Sequence, residues 1–203
     1  MTISVMARAD PPQLVQVVRE PVLDEAAYKK VEDDTAAACV ALKCPHPHLA
    51  LETVTGPKEI WWFNFFESEE ERQQVTRAYE SNRPLMEVLT RNGERKSRYT
   101  GQITDNVARY RRDLTRDASW DLLGARYAAV ALGDAASDVG GPVFEEPGRA
   151  RFAVRFFRTL EDAKRLVRGG ATLLALRPTW GLPAKEWIES DPVFWSVNPV
   201  ASR

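Results

Sequence analysis

Residues 49–75 read LALETVTGPKEIWWFNFFESEEERQQV, and this stretch decides the fold. Side chains alternate from His48 to Val54, and a Trp- and Phe-rich run extends from Glu59 to Glu67, which predicts two strands. Between them Thr55-Gly56-Pro57-Lys58 is turn chemistry, so the strands pair as a hairpin. Ser68 with Glu71 three residues on is a capping box and starts a helix carried by Val75, Ala78 and Tyr79. Pro84 interrupts that pattern, which predicts a kink or two segments, and Asn92-Gly93 is the expected stop.

Upstream, Gln13 to Arg19 (QLVQVVR) is a β-prone run that Pro21 ends. Asp24 is an N-cap for a helix over 24–42, with Tyr28, Val31, Thr35, Ala38 and Leu42 on its apolar side. Lys29, Lys30, Glu32, Asp33 and Asp34 fall between them as the charged side, and the prolines of CPHPH close the helix. Downstream, Gln102 to Tyr110 supplies a fourth strand. The order is then β-α-β-β-α-β, the ferredoxin-like arrangement of two helices over a four-stranded antiparallel sheet.

A shorter version of the opening stretch returns at 146–167, EPGRARFAVRFFRTLEDAKRLV. A shift of 91 residues lays Trp61 on Phe152, Asn64 on Arg155, Phe65-Phe66 on Phe156-Phe157, and Ser68/Glu71 on Thr159/Asp162, again a capping box. Ala125 to Leu132 opens this second half as a strand after an irregular connector over 111–124. The Gly- and Pro-rich residues 133–147 predict that its first helix is shortened or lost. Arg149 to Arg158 is the counterpart of the Trp-rich strand, Gly169-Gly170 stops the following helix, and Ala171 to Arg177 is the last strand. The expected fold is α+β, two ferredoxin-like halves, the second degenerate, forming an α+β barrel-like body. The expected divisions are 12–115, 116–177 and a tail over 178–203. That tail carries Trp180, Trp187, Phe194 and Trp195 around a short helix, Pro183 to Ser190. So much aromatic surface must be buried, on the body of the chain or on a second copy.

Composition narrows the partners. Among 203 residues, Lys plus Arg is 28 against 29 for Asp plus Glu, so no global field recruits nucleic acid or an anionic membrane. No apolar run approaches the ~20 residues of a membrane span, and the opening MTISVMARADPP lacks a signal-peptide core, so a cytoplasmic protein is expected. The basic cluster Arg91, Arg95, Lys96, Arg98 reads as a solvated face. Every Cys and His lies between 39 and 48: Cys39, Cys44, His46 and His48. Their spacing matches no familiar zinc pattern, so no metal is expected and Cys39 reads as a small buried thiol. No Gly-rich phosphate loop or nucleophile elbow is present, and no cofactor is expected.

With third strands reading WWFNFFES and RFFRTLED, the chain resembles the dimeric α+β barrel superfamily, which includes antibiotic-biosynthesis-monooxygenase-like proteins. The resemblance covers roughly residues 12–177 and implies two ferredoxin-like units set sheet to sheet, with small molecules bound between sheet and helices or inside the barrel. Some cofactor-free oxygenases and haem-degrading members use an Asn, a Trp and a His, for which Asn64, Trp61 or Trp62, and His48 are the nearest residue types here.

Strand alternation divides the hairpin into two faces. Trp61, Phe63 and Phe65, with counterparts Phe152, Val154 and Phe156, are expected beneath the helices. The opposite, mixed face carries Trp62, Asn64 and Phe66, with Ala153, Arg155 and Phe157 in the second half. His48 and Glu52 of the second strand are expected to join it, Glu52 near Arg155. The candidate cavity is therefore lined by Trp62, Asn64, Phe66, Arg155, Glu52 and His48 and takes a small apolar or aromatic ligand. The other reading of these residues is that they pair with one another between packed sheets. Two functions stay open: a small-molecule-binding protein of cofactor-independent oxidoreductase type, or a non-catalytic module that forms a homodimer through its aromatic tail.

Overall fold

The computed structural model describes residues 10–146, 148, 151–166 and 170–198. Its first half runs β1 (Leu14–Pro21), α1 (Glu25–Leu42), β2 (His48–Thr53), β3 (Glu59–Phe66), α2 (Glu69–Ser81), α3 (Arg83–Lys96) and β4 (Thr104–Tyr110). The capping signals act as read. Asp24 accepts from Ala27 N at 3.0 Å, and Ser68 Oγ accepts from Glu71 N at 3.1 Å. Glu71 reaches back to Glu67 N at 2.6 Å. The helix divides before Pro84, where the side chain of Asn82 caps α3. Asn92-Gly93 does not end it, because α3 continues to Lys96. Asn92 turns inward instead and donates to Thr35 Oγ1 at 3.1 Å, tying α3 to α1.

The second half contains β5 (Tyr127–Leu132), a 3-10 turn (Gly133–Ala135), α4 (Ala136–Val139), β6 (Val143–Glu145), β7 (Arg151–Phe157), α5 (Leu160–Leu166) and β8 (Ala171–Leu176). Helix α4 is the expected remnant. Strand β6, three residues long, has no alternation to reveal it. It is placed by backbone contact, since a Cβ on Gly141 would lie 2.2 Å from Val154 O. The capping bond of Thr159 with Asp162 N forms at 3.1 Å. The expected helix stop at Gly169 and the start of the strand at Arg149 lie outside the described residues.

Strand order is β4-β1-β3-β2 in the first half and β8-β5-β7-β6 in the second, the same ferredoxin-like order twice. Two seams join them. Strand β2 pairs antiparallel with β8 through Leu51↔Leu176, and β4 pairs with β6 through Tyr110↔Phe144. The eight strands close into one barrel without a free edge.

Closure corrects the expected assignment of faces. Trp61, Phe63 and Phe65 do not lie beneath α1, α2 and α3; with Val15, Val17, Leu49 and Leu51 they fill the barrel interior against Phe152, Val154, Phe156 and Leu174 from the other half. A closed sheet must turn one face inward, and the odd-numbered face of β3 is the uniformly apolar one. Each such side chain contributes roughly 2–3 kcal/mol by leaving water.

The tail forms α6 (Lys185–Ser190) and α7 (Pro192–Trp195) and closes one end of the barrel. Trp187 meets Phe65 at 6.3 Å between ring centres and stacks with Trp195 at 6.2 Å. Trp120, from the connector, fits edge-on between Phe65 at 5.2 Å and Phe156 at 5.0 Å. Trp187 and Trp195 are buried against the chain's own body, so they offer no surface for the expected tail-to-tail association. The tail is pinned where Leu182 exchanges two 2.9 Å backbone bonds with His48. Among the described residues, no helix is long and apolar enough to cross a membrane.

Candidate functional site

The even-numbered face of β3 points outward, toward α1, α2 and α3. Strand register arranges it in rows. Gln16, Asn64 and His48 stand side by side on β1, β3 and β2, and Val18, Trp62 and Ala50 form the next row. Helix α1 crosses above with Glu32, Thr35 and Cys39, while Tyr79 of α2 and Leu89 and Lys96 of α3 complete the walls. Together these residues bound an open groove of about 340 Å³.

Apolar and hydrogen-bonding surfaces meet there. Trp62 and Asn64 are half-buried. Gln16 is held by Asp105, donating to its two carboxylate oxygens at 2.9 and 3.0 Å. The His48 ring lies 5.8 Å from Trp62 and 3.3 Å, through Nδ1, from His46 O. Burial pulls the His48 imidazole down to about 4. The ring is therefore neutral near pH 7.

One end of the groove carries a buried charge cluster. Lys96 Nζ lies 2.7 Å from Glu20 Oε1 and 2.8 Å from Glu32 Oε1. Trp62 Nε1 donates to Glu20 Oε2 at 3.1 Å, and Tyr28 OH donates to the same oxygen. Both carboxylates are almost fully enclosed, Glu20 at 4% exposure and Glu32 at 2%. Burial pushes the Glu32 carboxyl above its ordinary range, and Lys96 offsets this only in part. Burial alone would lower Lys96, but the charges of Glu32 and Glu20 outweigh it and hold the ammonium above its ordinary value. Tyr28 is also raised, first by burial and then by the two carboxylates, and stays a neutral donor. One cation thus faces two carboxylates.

Of the six expected cavity residues, the structure brings His48, Trp62 and Asn64 together in the groove. The other three lie elsewhere. Phe66 packs with Leu14 and Val75 and stacks on His46 at 4.6 Å. Glu52 pairs with Lys58 and, at 2.9 Å, with Arg177. Arg155 donates to Gly140 O at 3.3 Å and pairs with Asp117 at 3.5 Å. It cannot meet Asn64 or Glu52, because a closed barrel directs the outer faces of its two halves apart. In the second half Ala129, Ala131 and Ala153 pack with Ala136 and Val139, so the short α4 settles onto the sheet.

Sequence reasoning missed Glu20, Glu32 and Lys96. Glu32 was read as solvated, yet it belongs to the stripe Tyr28, Glu32, Thr35, Cys39, whose 3- and 4-residue steps put it on the buried side. Glu20 shares the outward face of β1 with Gln16 and Val18. Nothing local distinguishes Lys96 from its basic neighbours. The Cys/His cluster is also corrected: Cys39 and Cys44 form a disulfide. Lys43, at φ 59°, folds the chain back at the end of α1 and leaves the two Cα atoms 4.7 Å apart. His46 is buried with Nε2 3.0 Å from Phe65 O.

No protein-family model and no curated protein sequence matches this chain. Solved structures do. An anthrone oxidase-like protein superposes with a TM-score of 0.52 at 11% identity, covering 83% of this chain and 93% of its own. A provisionally named monooxygenase from Fusobacterium nucleatum subsp. nucleatum gives 0.48 at 9%, with 85% and 94% covered. One from Lactobacillus acidophilus gives 0.45 at 9%, with 89% and 88% covered. At 11% identity, the likeness to the anthrone oxidase-like protein shows the fold alone.

Proposed function

We propose that this chain is a small-molecule-binding oxidoreductase of monooxygenase-like type that takes a small aromatic molecule bearing a hydroxyl or carbonyl group into the groove between its first sheet and helices. The observation that carries this reading is the row Gln16, Asn64, His48, which sets hydrogen-bonding groups beside the Trp62 ring in the groove that Glu32 also lines. A flat ligand packs on Trp62 and its oxygen accepts from the Asn64 amide, while a ligand hydroxyl also donates to Gln16 Oε1, the Gln16 amide N–H groups being taken by Asp105. Glu32 is the group able to take or return a proton, since it is buried beside the groove with its proton affinity raised. The anthrone oxidase-like protein supports the reaction class by fold only. Anthrone is therefore the first substrate to try: with dioxygen it gives anthraquinone and water, and no external reductant is consumed.

The test measures 1-naphthol binding by equilibrium dialysis and anthrone-dependent oxygen uptake, for the native chain and for Trp62→Leu and Asn64→Leu. Saturable binding that weakens at least ten-fold in either variant is expected. Unchanged affinity in both variants, or no saturable binding to the native chain, rules out the groove. Oxygen uptake no faster than without protein rules out anthrone oxidation.

A further inference from the structure

The open end of the barrel, opposite the tail, holds a second cavity of about 400 Å³ that is separate from the groove. Its floor is Val17, Trp61 and Ala108, and its lip carries Phe152, Leu132, Thr104, Asn106 and the carboxylate of Glu146. Leu132 is 44% exposed although it ends a strand whose preceding residues are buried. Arg19 lies across the wall with its guanidinium 4.3 Å above the Trp61 ring. Both of its hydrogen bonds to Glu59, at 3.1 and 2.9 Å, use Nη2. Among the described residues Nη1 meets no acceptor, and Nε is buried with none. Trp61 Nε1 is spent on Glu59 at 2.7 Å. The cavity thus combines an apolar slot, a mixed lip on which Leu132 stands exposed beside Thr104, Asn106 and Glu146, and the Arg19 guanidinium, whose charge Glu59 already balances.

We propose that the open barrel mouth is a second ligand site, for an uncharged flat aromatic molecule carrying a carbonyl acceptor. Its ring inserts between Trp61, Phe152 and Leu132, and its oxygen accepts from Arg19 Nη1. An anion gains little, because it must approach an Arg19–Glu59 pair that is already neutral and bring its own desolvation cost. Ring burial and one charged donor favour the neutral acceptor.

The probe pair is 2-acetonaphthone and 2-naphthoate, which share a ring system and differ in charge, titrated by NMR against the full chain. Three variants are compared: Arg19→Lys keeps the pairing charge with Glu59 but removes the forked donor, Leu132→Trp fills the lip from its exposed side, and Asn64→Leu alters only the groove. The expected result is ketone binding at least ten-fold tighter than the naphthoate. That binding weakens at least ten-fold in Leu132→Trp and several-fold in Arg19→Lys, and is unchanged in Asn64→Leu. Equal affinity for both probes, native affinity in Leu132→Trp, or loss of binding in Asn64→Leu overturns the assignment. The last outcome places the ketone in the groove and leaves the proposed groove function standing.

Discussion

Lys96 holds the groove's charge cluster together. Replacing it by Met leaves Glu20 and Glu32 enclosed without their cation, and breaking such a buried pair costs about 3–5 kcal/mol. Urea denaturation of Lys96→Met checks this, and a loss below about 1 kcal/mol contradicts the described burial. The histidines give a pH signature of opposite origin. Burial lowers His46 and His48 to about 4 from an ordinary 6.5, so their neutral forms belong to the folded state. The stability they contribute is fully present above 6.5 and is lost as pH falls through the folded value. Ring-proton NMR titration is expected to give both midpoints near 4; a midpoint near 6.5 for either ring means that it is exposed. At this scale the sequence is half transparent. Trp62, Asn64 and His48 follow from counting alternate positions, whereas Glu32 and Lys96 look like solvated charges until the pairing across β1, α1 and α3 is known.

Individual elements are more legible, because caps and turns are local chemistry. Ser68→Ala removes the bond to Glu71 N and is expected to cost about 1 kcal/mol, with Thr159→Ala similar at the start of α5. Chemical denaturation measures both, and no loss in either removes the capping boxes as the origin of those helices. Strand β6 was not legible, since three residues cannot show a period and its position depends on Gly141 passing close to β7. The link from tail to β2 was equally hidden. A Cβ on Gly181 would stand 2.9 Å from His48 O. Gly181→Ala is therefore expected to loosen the tail and speed amide exchange at Leu182 and His48, while native exchange rates there contradict the pinning. His48 lines the groove as well, so this strand joins the tail's anchorage to the candidate site.

At the scale of the whole molecule, the β-α-β-β-α-β order is readable in full in the first half and, without β6, in part in the second, but the direction each face points is not. Alternation divides side chains into two sets, and only closure of the barrel decides which set is inside. The seams β2·β8 and β4·β6 also make each half dependent on the other. One cooperative unfolding transition is expected for the whole chain, and two separable transitions in calorimetry contradict that dependence. The central claim concerns the outward face of β3, and a crystal structure of the chain grown with saturating 1-naphthol tests it most directly. The account predicts the naphthyl ring against Trp62 with its hydroxyl within hydrogen-bonding distance of Asn64 or Gln16. An empty groove at saturation, or a ring found only in the barrel mouth, contradicts it.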